Sequence, residues 1–474
     1  MFTKAIQTVC LAIGCFTVCA AVGAQTAPKS HDRIWLPDTP SGTTRSTMTR
    51  FSLDPTKTYT LSELVDVAEQ HNPETRVAWE RAKAQAAAVG VARSSLFPVL
   101  AAKAVAASER QDVLFNEQWA QQTLGLFQST VALTYTVFDF NARLDDFSQA
   151  KAILRAQDFS FNNTHLQVIH RVTQAYYDVL NATGQLDAAQ ANLQNASTVQ
   201  QDAEARRANG LATLPDVLET RSATAQAEYE LVNAQGNRLV AFGNLAKAIG
   251  AYPTSDIRVQ AIDQIPLPSP LNETVEDAIA QALHNRPDLL SAQQRINGAR
   301  DAVRKAKSTF LPTLSFAGEI GRARAYGEQL PLPGVYAKGE IWDAGFSLQW
   351  NLFEGGKRRS ELAGAHADQD RTQAEFDTLE DEAENEVWNA YIGVKTAYEQ
   401  QQAATALLEA ATASYNAAIE SYKSGVRNLL DVVSAQRALA EARSEDVTAR
   451  TQLLRQTATL AFSTGELLNT ARHP

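Results

Sequence analysis

The residue types that most often perform chemistry are few and scattered in this sequence. The nearest pair among its seven histidines is His165 and His170, and neither has an acidic residue at the helical spacing that a metal site needs. The sequence contains no glycine-rich phosphate loop and no nucleophile elbow. We therefore predict a protein that is not an enzyme and that has no cofactor and no metal site.

All cysteines lie near the start of the chain, in a segment typical of a secretory signal peptide. An apolar stretch follows Lys4 and ends in small residues before a cleavage point after Ala24. Cleavage there removes every thiol, and with it disulfides, thiolate metal sites and cysteine nucleophiles. We predict a signal peptide over residues 1–24. The cysteines are Cys10, Cys15 and Cys19.

Two other interpretations of this segment stay open. The stretch 11–15 resembles a lipoprotein cleavage box, which would make Cys15 a lipidated N-terminus. Phe16 and the short apolar run before the box favour ordinary cleavage instead. The second alternative is an uncleaved anchor helix, against which the short apolar core argues.

Charge and hydropathy restrict the remaining function classes. The formal net charge is −10, which argues against a nucleic-acid partner. After residue 24 there is no run of 18 or more apolar residues, so the sequence predicts no transmembrane helix. A chain of this kind that crosses a bilayer needs a closed β-barrel.

The sequence repeats itself at a nearly constant offset. Pro73 matches Pro287 at an offset of 214, and Phe138 matches Phe353 at an offset of 215 after one residue of slippage. A constant offset over so long a stretch indicates a duplicated segment. Further matches join Pro98 with Pro312, Arg143 with Arg358, Tyr176 with Tyr391, Gly210 with Gly425, Asp216 with Asp431, and Gly250 with Gly465.

The duplication predicts one unit built twice, with short segments around it. The predicted segments are the signal peptide 1–24, an N-terminal arm 25–58, the first repeat 59–250, a proline-rich equatorial linker 251–273, the second repeat 274–468 and a tail 469–474.

Each repeat contains a helix, a β-hairpin and a long helical hairpin, in that order. The first helix is predicted over about 61–94 and 275–308, and it ends before Pro98 or Pro312 because proline cannot continue a helix. The second hairpin strand alternates apolar and polar side chains, as a strand between lipid and water does. A half-buried sheet of a water-soluble domain would show the same alternation. The apolar positions are Val131, Leu133, Tyr135 and Val137, then Phe346, Leu348, Trp350 and Leu352; weaker first strands are predicted near 99–107 and 314–321.

The long helices are predicted over about 142–208 and 357–424, followed by return helices over 214–249 and 429–468. Each long helix would span on the order of 100 Å. Small residues recur every seven positions, which predicts close coiled-coil packing. A dimeric rod fits the same heptads but leaves the hairpins unexplained. The small residues are Ala175, Ala182, Ala189 and Ala196 in the first helix, and Ala390, Ala397, Ala404, Ala411 and Ala418 in the second.

Motifs at the helix turns and strand exits resemble those of the TolC family of outer-membrane efflux proteins. The resemblance covers about residues 59–468. The segments that carry it are Tyr422–Arg427 followed by Asp431–Gln436, Gly210-Leu211 followed by Asp216–Leu218, and Phe353–Arg358.

The resemblance implies a mixed α+β membrane protein that assembles as a homotrimer. Each chain would give four strands to a shared 12-stranded transmembrane β-barrel and its helices to an α-helical barrel. The implied location is the outer membrane of a Gram-negative bacterium, with the helices in the periplasm. The implied function is a passive exit duct whose partners are outer-membrane lipid, a periplasmic adaptor protein and an inner-membrane transporter.

The resemblance also implies roles for residues at the periplasmic tip. The turns at Gly210, Leu211, Gly425 and Val426 would contact the adaptor. Four further residues would form a gate: Asp216 as the acid of the first turn, Tyr422 and Arg427 as the residues that link to it, and Asp431 as an acid lining the narrowest ring. The family's best-known form has a second acid three residues later, where this chain has Ser434. That departure leaves the ion selectivity of such a gate undetermined.

The sequence leaves the cargo undetermined. One interpretation is efflux of small molecules with a proton-driven pump, and the other is secretion of an unfolded polypeptide with an ATP-driven transporter. A third, of a different class, is a periplasmic coiled-coil adaptor without a membrane barrel. An adaptor of that kind would have one helical hairpin, whereas this sequence predicts two.

Overall fold

The computed structural model describes residues 54, 56–115, 117–255, 257–329 and 332–467. The predicted signal peptide with Cys15, nearly all of the predicted arm and the predicted tail lie outside the described residues. Within the described ranges, none of the helices combines the length and the apolar character that a membrane span requires.

The two halves of the chain contain the same order of elements. The first half contains β1 (Thr58–Tyr59), α1 (Leu61–His71), α2 (Pro73–Ser94), β2 (Val99–Phe115), β3 (Gln118–Phe138), α3 (Ala142–Ala208) and α4 (Leu214–Ala248). The second contains β4 (Arg258–Val259), a 3-10 turn (Ile262–Gln264), α5 (Val275–Asn285), α6 (Pro287–Ser308), β5 (Thr313–Gln329), β6 (Leu332–Gln349), α7 (Lys357–Lys423) and α8 (Leu429–Ser463). Helices α3 and α7 each have 67 residues, and α4 and α8 each have 35, as a duplication predicts.

The first helix of each repeat is broken, and the prediction of one continuous helix was wrong. Asn72 separates α1 from α2 with φ −70° and ψ 127°, and Arg286 separates α5 from α6 with φ −66° and ψ 121°. Each residue precedes a proline, whose ring disfavours helical geometry at the preceding position. The side chain of Asn72 then caps α2 by accepting a hydrogen bond from the Glu74 amide at 2.8 Å.

The four long strands form one antiparallel sheet in the order β2-β3-β5-β6. They are longer than the alternation predicted, because the paired backbone continues through polar stretches such as 108–112. One register shift interrupts the β3–β5 ladder between Thr136 and Phe138. It lies in the stretch of the chain where the repeat offset changes from 214 to 215.

The predicted linker 251–273 contains ordered structure that the proline pattern did not reveal. Its strand β4 pairs in parallel with β1, with Thr58 opposite Arg258 and Tyr59 opposite Val259. Ile257 of this segment is buried in one apolar cluster with Leu64 of α1 and with Val172 of α3. The linker and α1 therefore cover one face of α3.

The helices form a layer in which α3 is central and α7 is at an edge. Helix α3 packs against α2 and α6 near the sheet, and against α4 and α8 farther from it. Helix α7 packs against α6 and α8 on one side only, with α5 beside it. The opposite edge of the layer is formed by α2 and α4.

The predicted seven-residue pattern is buried along α7. The five alanines of the pattern, Ala390 to Ala418, are each at most 8 % exposed, and Val387, Val394 and Tyr415 are buried beside them. The small side chains let the helix backbones approach closely. In α3 the pattern is less regular, since Ala175 and Ala196 are buried while Ala182 and Ala189 are half-buried.

Candidate functional site

The two long helices end in the same glycine cap. Gly210 and Gly425 both have φ 76°, a left-handed geometry that side chains other than glycine adopt at a cost. The amides of Leu211 and Val426 donate to the carbonyls five residues back at 2.8 and 2.9 Å. These bonds complete a Schellman cap, which turns the chain sharply into the return helix.

The turns expose apolar side chains at the end of the helical layer. Leu211 is 75 % exposed, Val426 79 % and Leu430 62 %. Both turns lie next to one apolar cluster, so they are at the same end of the layer. The cluster contains Val199 and Ala203 of α3, Ala411, Tyr415 and Ala418 of α7, and Leu429, Val432, Val433, Leu439 and Ala442 of α8.

Asp216 forms a capping box at the start of α4. Its carboxylate accepts hydrogen bonds from the Thr213 hydroxyl at 2.7 Å and the Thr213 amide at 2.8 Å. In return, the Asp216 amide donates to the Thr213 hydroxyl at 3.4 Å. These bonds, the hydroxyl bond first, hold the pKa of Asp216 below its ordinary value, so the carboxylate is charged at neutral pH.

Tyr422 lies against a basic side chain of α3. The Arg206 guanidinium is 4.3 Å from the centroid of its ring and is itself bonded to Asp202 at 3.0 Å. Burial raises the pKa of Tyr422, Arg206 opposes the rise, and the charges of Asp202 and Asp216 add to it. Asp216 therefore lies within electrostatic range of the Tyr422 hydroxyl, without a hydrogen bond between them among the described residues.

The other predicted gate residues have fewer contacts within the chain. The backbone amide of Arg427 donates to the Ser421 carbonyl at 3.2 Å, but its side chain is exposed and over the described ranges has neither a hydrogen bond nor an ion pair. Asp431 is half-buried in the first turn of α8, where its amide donates to the Asn428 side chain at 3.0 Å. Ser434 is exposed three residues later. The structure thus places all four predicted gate residues at one end of the helices, and the gating role itself stays a prediction.

Two further ion pairs at this end were not predicted from the sequence. Glu204 of α3 accepts two bonds from the Arg221 guanidinium of α4, at 3.0 and 2.9 Å. Glu219 of α4 accepts one from Arg437 of α8 at 3.0 Å. The second pair joins the two repeats, and residues 218 positions apart give no local pattern from which the contact could be found.

A polar seam joins α3 to α8 along the wall. Arg455 donates to Asp178 at 2.8 Å and to Gln174 at 2.9 Å. Farther along, the Gln185 amide donates to the Ser444 carbonyl at 2.8 Å. Specific side-chain hydrogen bonds between the two repeats therefore hold α3 against α8.

In the half of the sheet nearer the helices, one side is apolar and the other is polar, whereas farther out Arg322 and Glu340 pair on the same side as Ile320. On the apolar side Phe316 lies directly opposite Phe346, and Ile320 opposite Trp342. Trp342, Phe346, Leu348, Trp350 and Leu352 are each at least 56 % exposed. On the polar side the Gln128 amide donates to Glu319 at 3.2 Å, and Asp343 lies directly opposite Glu319.

His165 and His170 of α3 each pack against a side chain of another helix. His165 lies 3.3 Å from the Glu69 carboxylate of α1, a long-range partner that sequence spacing did not show. His170 stacks on Phe462 at 4.3 Å, and burial lowers the pKa of His170 to about 4. The described part of the chain contains no group of three His, Cys, Asp or Glu side chains placed to hold a metal ion.

Comparison with known proteins identifies the family. A model described as outer membrane efflux protein matches residues 64–251 and 278–466, one match in each repeat. The chain belongs to the outer membrane efflux protein family. The predicted resemblance is therefore confirmed, and the adaptor alternative is not supported.

Individual members of this family match along most of their length. Protein CyaE of Bordetella pertussis is 29 % identical over 414 residues, covering 86 % of this chain and 84 % of that protein. Outer membrane protein OprJ of Pseudomonas aeruginosa is 26 % identical over 383 residues, covering 80 % and 78 %. The solved structure of the outer-membrane channel OprN superposes with a TM-score of 0.76 at 22 % identity, covering 87 % of this chain and 90 % of that one.

Membership of this family defines the general function of the protein. The protein is an export channel of the outer membrane of a Gram-negative bacterium, it extends into the periplasm, and it is not an enzyme.

Proposed function

We propose that three copies of this chain form one exit duct of a tripartite export system. Twelve strands would close into a barrel in the outer membrane, and the helices would continue it as a tube through the periplasm. An inner-membrane transporter and a periplasmic adaptor would deliver the cargo, and the duct would conduct it passively. The proposed division of each chain into repeats 59–250 and 274–468 gives every copy two equivalent sectors of the wall.

The main support for this proposal is that the sheet and the helical layer each have two open edges in the described chain. In each layer, the two edges can contact each other between neighbouring copies. The sheet ends in β2 on one side and β6 on the other, and these strands run in opposite directions because the sheet is antiparallel with four strands. The β6 edge of one copy can therefore pair antiparallel with the β2 edge of the next. An open edge in a bilayer would leave backbone groups without partners, so closure is required.

The helical layer has the same kind of edges. On the α4 edge Tyr229 is 65 % exposed and Val232 64 %, and on the α7 edge Trp388 is 50 % exposed. Exposed apolar side chains along both edges favour contact with neighbouring chains. A repeated contact between two different edges closes into a ring when the rotation fits.

Barrel geometry supports a number larger than two. An eight-stranded barrel has an interior that side chains fill, whereas a duct needs a wider, water-filled bore. Three copies give twelve strands and twelve helices at each level of the tube, and the resemblance to the TolC family implies the same number.

The gate is proposed at the tip, between neighbouring copies. The Arg427 side chain is exposed and has no ion pair or hydrogen bond within the described chain, while the Asp216 carboxylate is charged and at the same end. We propose that Arg427 of one copy binds the acids of the next and holds the tip narrow. The exposed turns at Leu211 and Val426 are proposed as the adaptor contact, because apolar tips without a partner suit a helix-end docking surface.

Deleting the gene and complementing it with defined variants tests the export function and its cargo. Loss of resistance to small toxic compounds would assign small-molecule efflux, and loss of a secreted polypeptide from the medium would assign protein secretion. A variant with Leu211→Asp and Val426→Asp should reach the outer membrane but fail in export. The matched control Leu211→Met/Val426→Ile keeps both turns apolar, and it should export normally. Full export by the tip variant would contradict the proposal.

A further inference from the structure

A basic groove of about 400 Å³ runs between α3 and α6. It lies near the sheet, because α3 begins directly after β3 and α6 ends directly before β5. Its lining contains four cations and one carboxylate. The residues that matter here are Lys151, Arg155, Arg300, Arg304 and Asp301.

Three of the four cations in the basic groove lack a counter-charge. Lys151, Arg155 and Arg300 are exposed, and in the described part of the chain none of them has an ion pair or a hydrogen bond from its side chain. Arg304 differs, since it donates to Asp145 at 3.0 Å and to the buried Asp301. Three unpaired cations around one groove attract a small anionic group strongly.

The groove begins about 10 Å beyond the sheet, because Ser148 is six residues into α3 and a helix rises 1.5 Å per residue. Between the groove and the sheet, the chain leaving β6 exposes Leu352 and Phe353, which are 77 % and 87 % exposed. On α3, the exposed Leu144 comes first, then Phe147, and the Lys151 ammonium lies 5.1 Å from the Phe147 ring centroid. Lysine thus extends toward the sheet along an apolar stem, as cationic side chains do at a membrane interface.

The groove opens on the outer face of the wall. Lys151 and Arg155 are fourteen residues before His165 and Ile169, which is close to four helical turns, so each pair shares a face of α3. His165 contacts Glu69 of α1, and Ile169 is buried in the same cluster as Leu64 of α1. A duct must keep its bore open, so the face that carries α1 and the linker is the outside.

We infer that the basic groove binds the phosphate of an anionic phospholipid headgroup in the periplasmic leaflet of the outer membrane. Lys151 supplies a point charge, and the Arg155 and Arg300 guanidinium groups supply paired N–H donors suited to phosphate oxygens. Arg304 and Asp301, which pair with each other, also line the groove. The inference uses the outer-membrane location and the outer position of this face, and it depends on neither the number of copies nor the tip gate.

Lipid retention by the full chain tests the inference. The protein is placed in bilayer discs of equal parts phosphatidylglycerol and phosphatidylcholine, extracted in mild detergent, and its bound lipids are counted by mass spectrometry. The native chain should retain phosphatidylglycerol in clear excess. The variant Lys151→Gln/Arg155→Gln/Arg300→Gln should lose roughly tenfold or more of that preference, given the contribution of each cation near a lipid surface.

Two further variants make the result specific. The control Arg207→Gln/Arg295→Gln/Lys395→Gln removes three exposed cations elsewhere, one of them on another face of α6, and it should retain the native preference. The variant Arg155→Lys/Arg300→Lys keeps the charge but loses the paired N–H donors, so its preference should lie between those of the native chain and the triple glutamine variant. If the triple variant fails to assemble, the single variant Arg300→Gln carries the test, and it should also lose part of the preference. Equal retention by the groove and control variants would overturn the inference.

Competition distinguishes the sources of the anionic group. Glycerol 3-phosphate and inorganic phosphate should displace the lipid only at concentrations far above those of the lipid. Displacement at matching concentrations would instead make the groove a site for free phosphate and overturn the lipid assignment. Peptidoglycan fragments that bind the native chain but not the groove variant, with lipid retention unchanged, would also overturn it. If the triple glutamine variant keeps the native lipid preference and exports normally, the lipid site is refuted and the proposed exit duct is unaffected.

Discussion

At the scale of single residues, two glycines determine where the long helices turn. The match of Gly210 with Gly425 in the sequence was enough to predict both turns. Glycine is the residue that most readily takes the positive φ found at the end of a helix. The roles of Asp216 and Tyr422 were less predictable. The capping box of Asp216 with Thr213 is local, but the packing of Arg206 on Tyr422 joins residues of different repeats.

Gly425→Ala should destabilise the second turn. A side chain at φ 76° costs about 1 kcal/mol or slightly more, although nothing lies within 4 Å of the added carbon. Gly364→Ala, inside α7, is the matched control. It also has open space but ordinary helical geometry, and it should stabilise α7 by about 0.5–1 kcal/mol. Hydrogen exchange of the amides around residues 423–430 measures the first effect, and equal protection in both variants would contradict it.

The capping box of Asp216 predicts how the start of α4 responds to pH. The pKa of Asp216 is lowered in the fold, so its contribution is complete above the ordinary value of 3.8 and is lost as the pH falls through the lower folded value. Between pH 5 and pH 8 the Asp216 carboxylate should therefore stay charged, and its protonation should not change the hydrogen exchange protection of residues 214–218. Thr213→Val should raise exchange there at every pH, by about 1 kcal/mol of local opening. A midpoint for Asp216 near neutral pH would contradict the assignment.

The proposed gate predicts a change in conductance. Arg427→Ala combined with Tyr422→Phe should raise the single-channel conductance of the reconstituted protein, because both hold the tip closed. Lys423→Ala is the control, since Lys423 lies in the same turn but pairs with Glu420 of its own helix at 3.0 Å. Unchanged conductance of the double variant, or an equal rise in the control, would refute the gate.

At the scale of elements, the spacing of apolar and small residues in the sequence predicted most of the faces that are buried in the fold. The heptads of α7 are buried as predicted, and the alternation in β3 and β6 corresponds to the two sides of the sheet. The breaks at Asn72 and Arg286 were missed because a proline near a helix start was interpreted as part of its first turn. The polar seam between α3 and α8 was also missed, since its partners are more than 250 residues apart.

The close approach of α3 and α8 at Gly184 predicts a packing defect on substitution. An added Cβ would lie 2.6 Å from Val447 Cγ1, closer than real contacts allow. Gly184→Ala should destabilise the wall by about 1–3 kcal/mol in denaturant unfolding. Adding Val447→Ala should restore part of the loss, and Gly236→Ala, which meets nothing within 4 Å, should not destabilise in this way. A Gly184→Ala variant as stable as Gly236→Ala would contradict the tight seam.

The apolar side of the sheet predicts that a charged substitution reduces folding in the membrane at Phe346 but not at the neighbouring Ser347. Phe346→Arg should cost about 2–4 kcal/mol if this side faces lipid near the bilayer midplane. Ser347 points to the other side, so Ser347→Arg should have little effect on insertion. Heat-modifiable mobility of membrane-extracted protein reports the folded fraction. Equal losses for the two variants would contradict the assignment of the sides.

At the scale of the whole molecule, the duplication explains why one chain makes an unfinished wall. The four long strands and the helical layer present two different edges, and in the proposed assembly both edges contact neighbouring copies. The sequence predicted the number of strands through the two hairpins, whereas the number of copies came only from the resemblance to a family. A single chain contains its own seams, but the fit between copies depends on a rotation that neither its sequence pattern nor its internal contacts specify.

The number of chains in the assembled protein tests the central claim most directly. Full-length protein is extracted from outer membranes in mild detergent, and its mass is measured by light scattering with the detergent contribution subtracted. The account predicts three chains per particle, converted to single chains only on heating. A particle of one or two chains, or an open series of larger species, would contradict the shared duct.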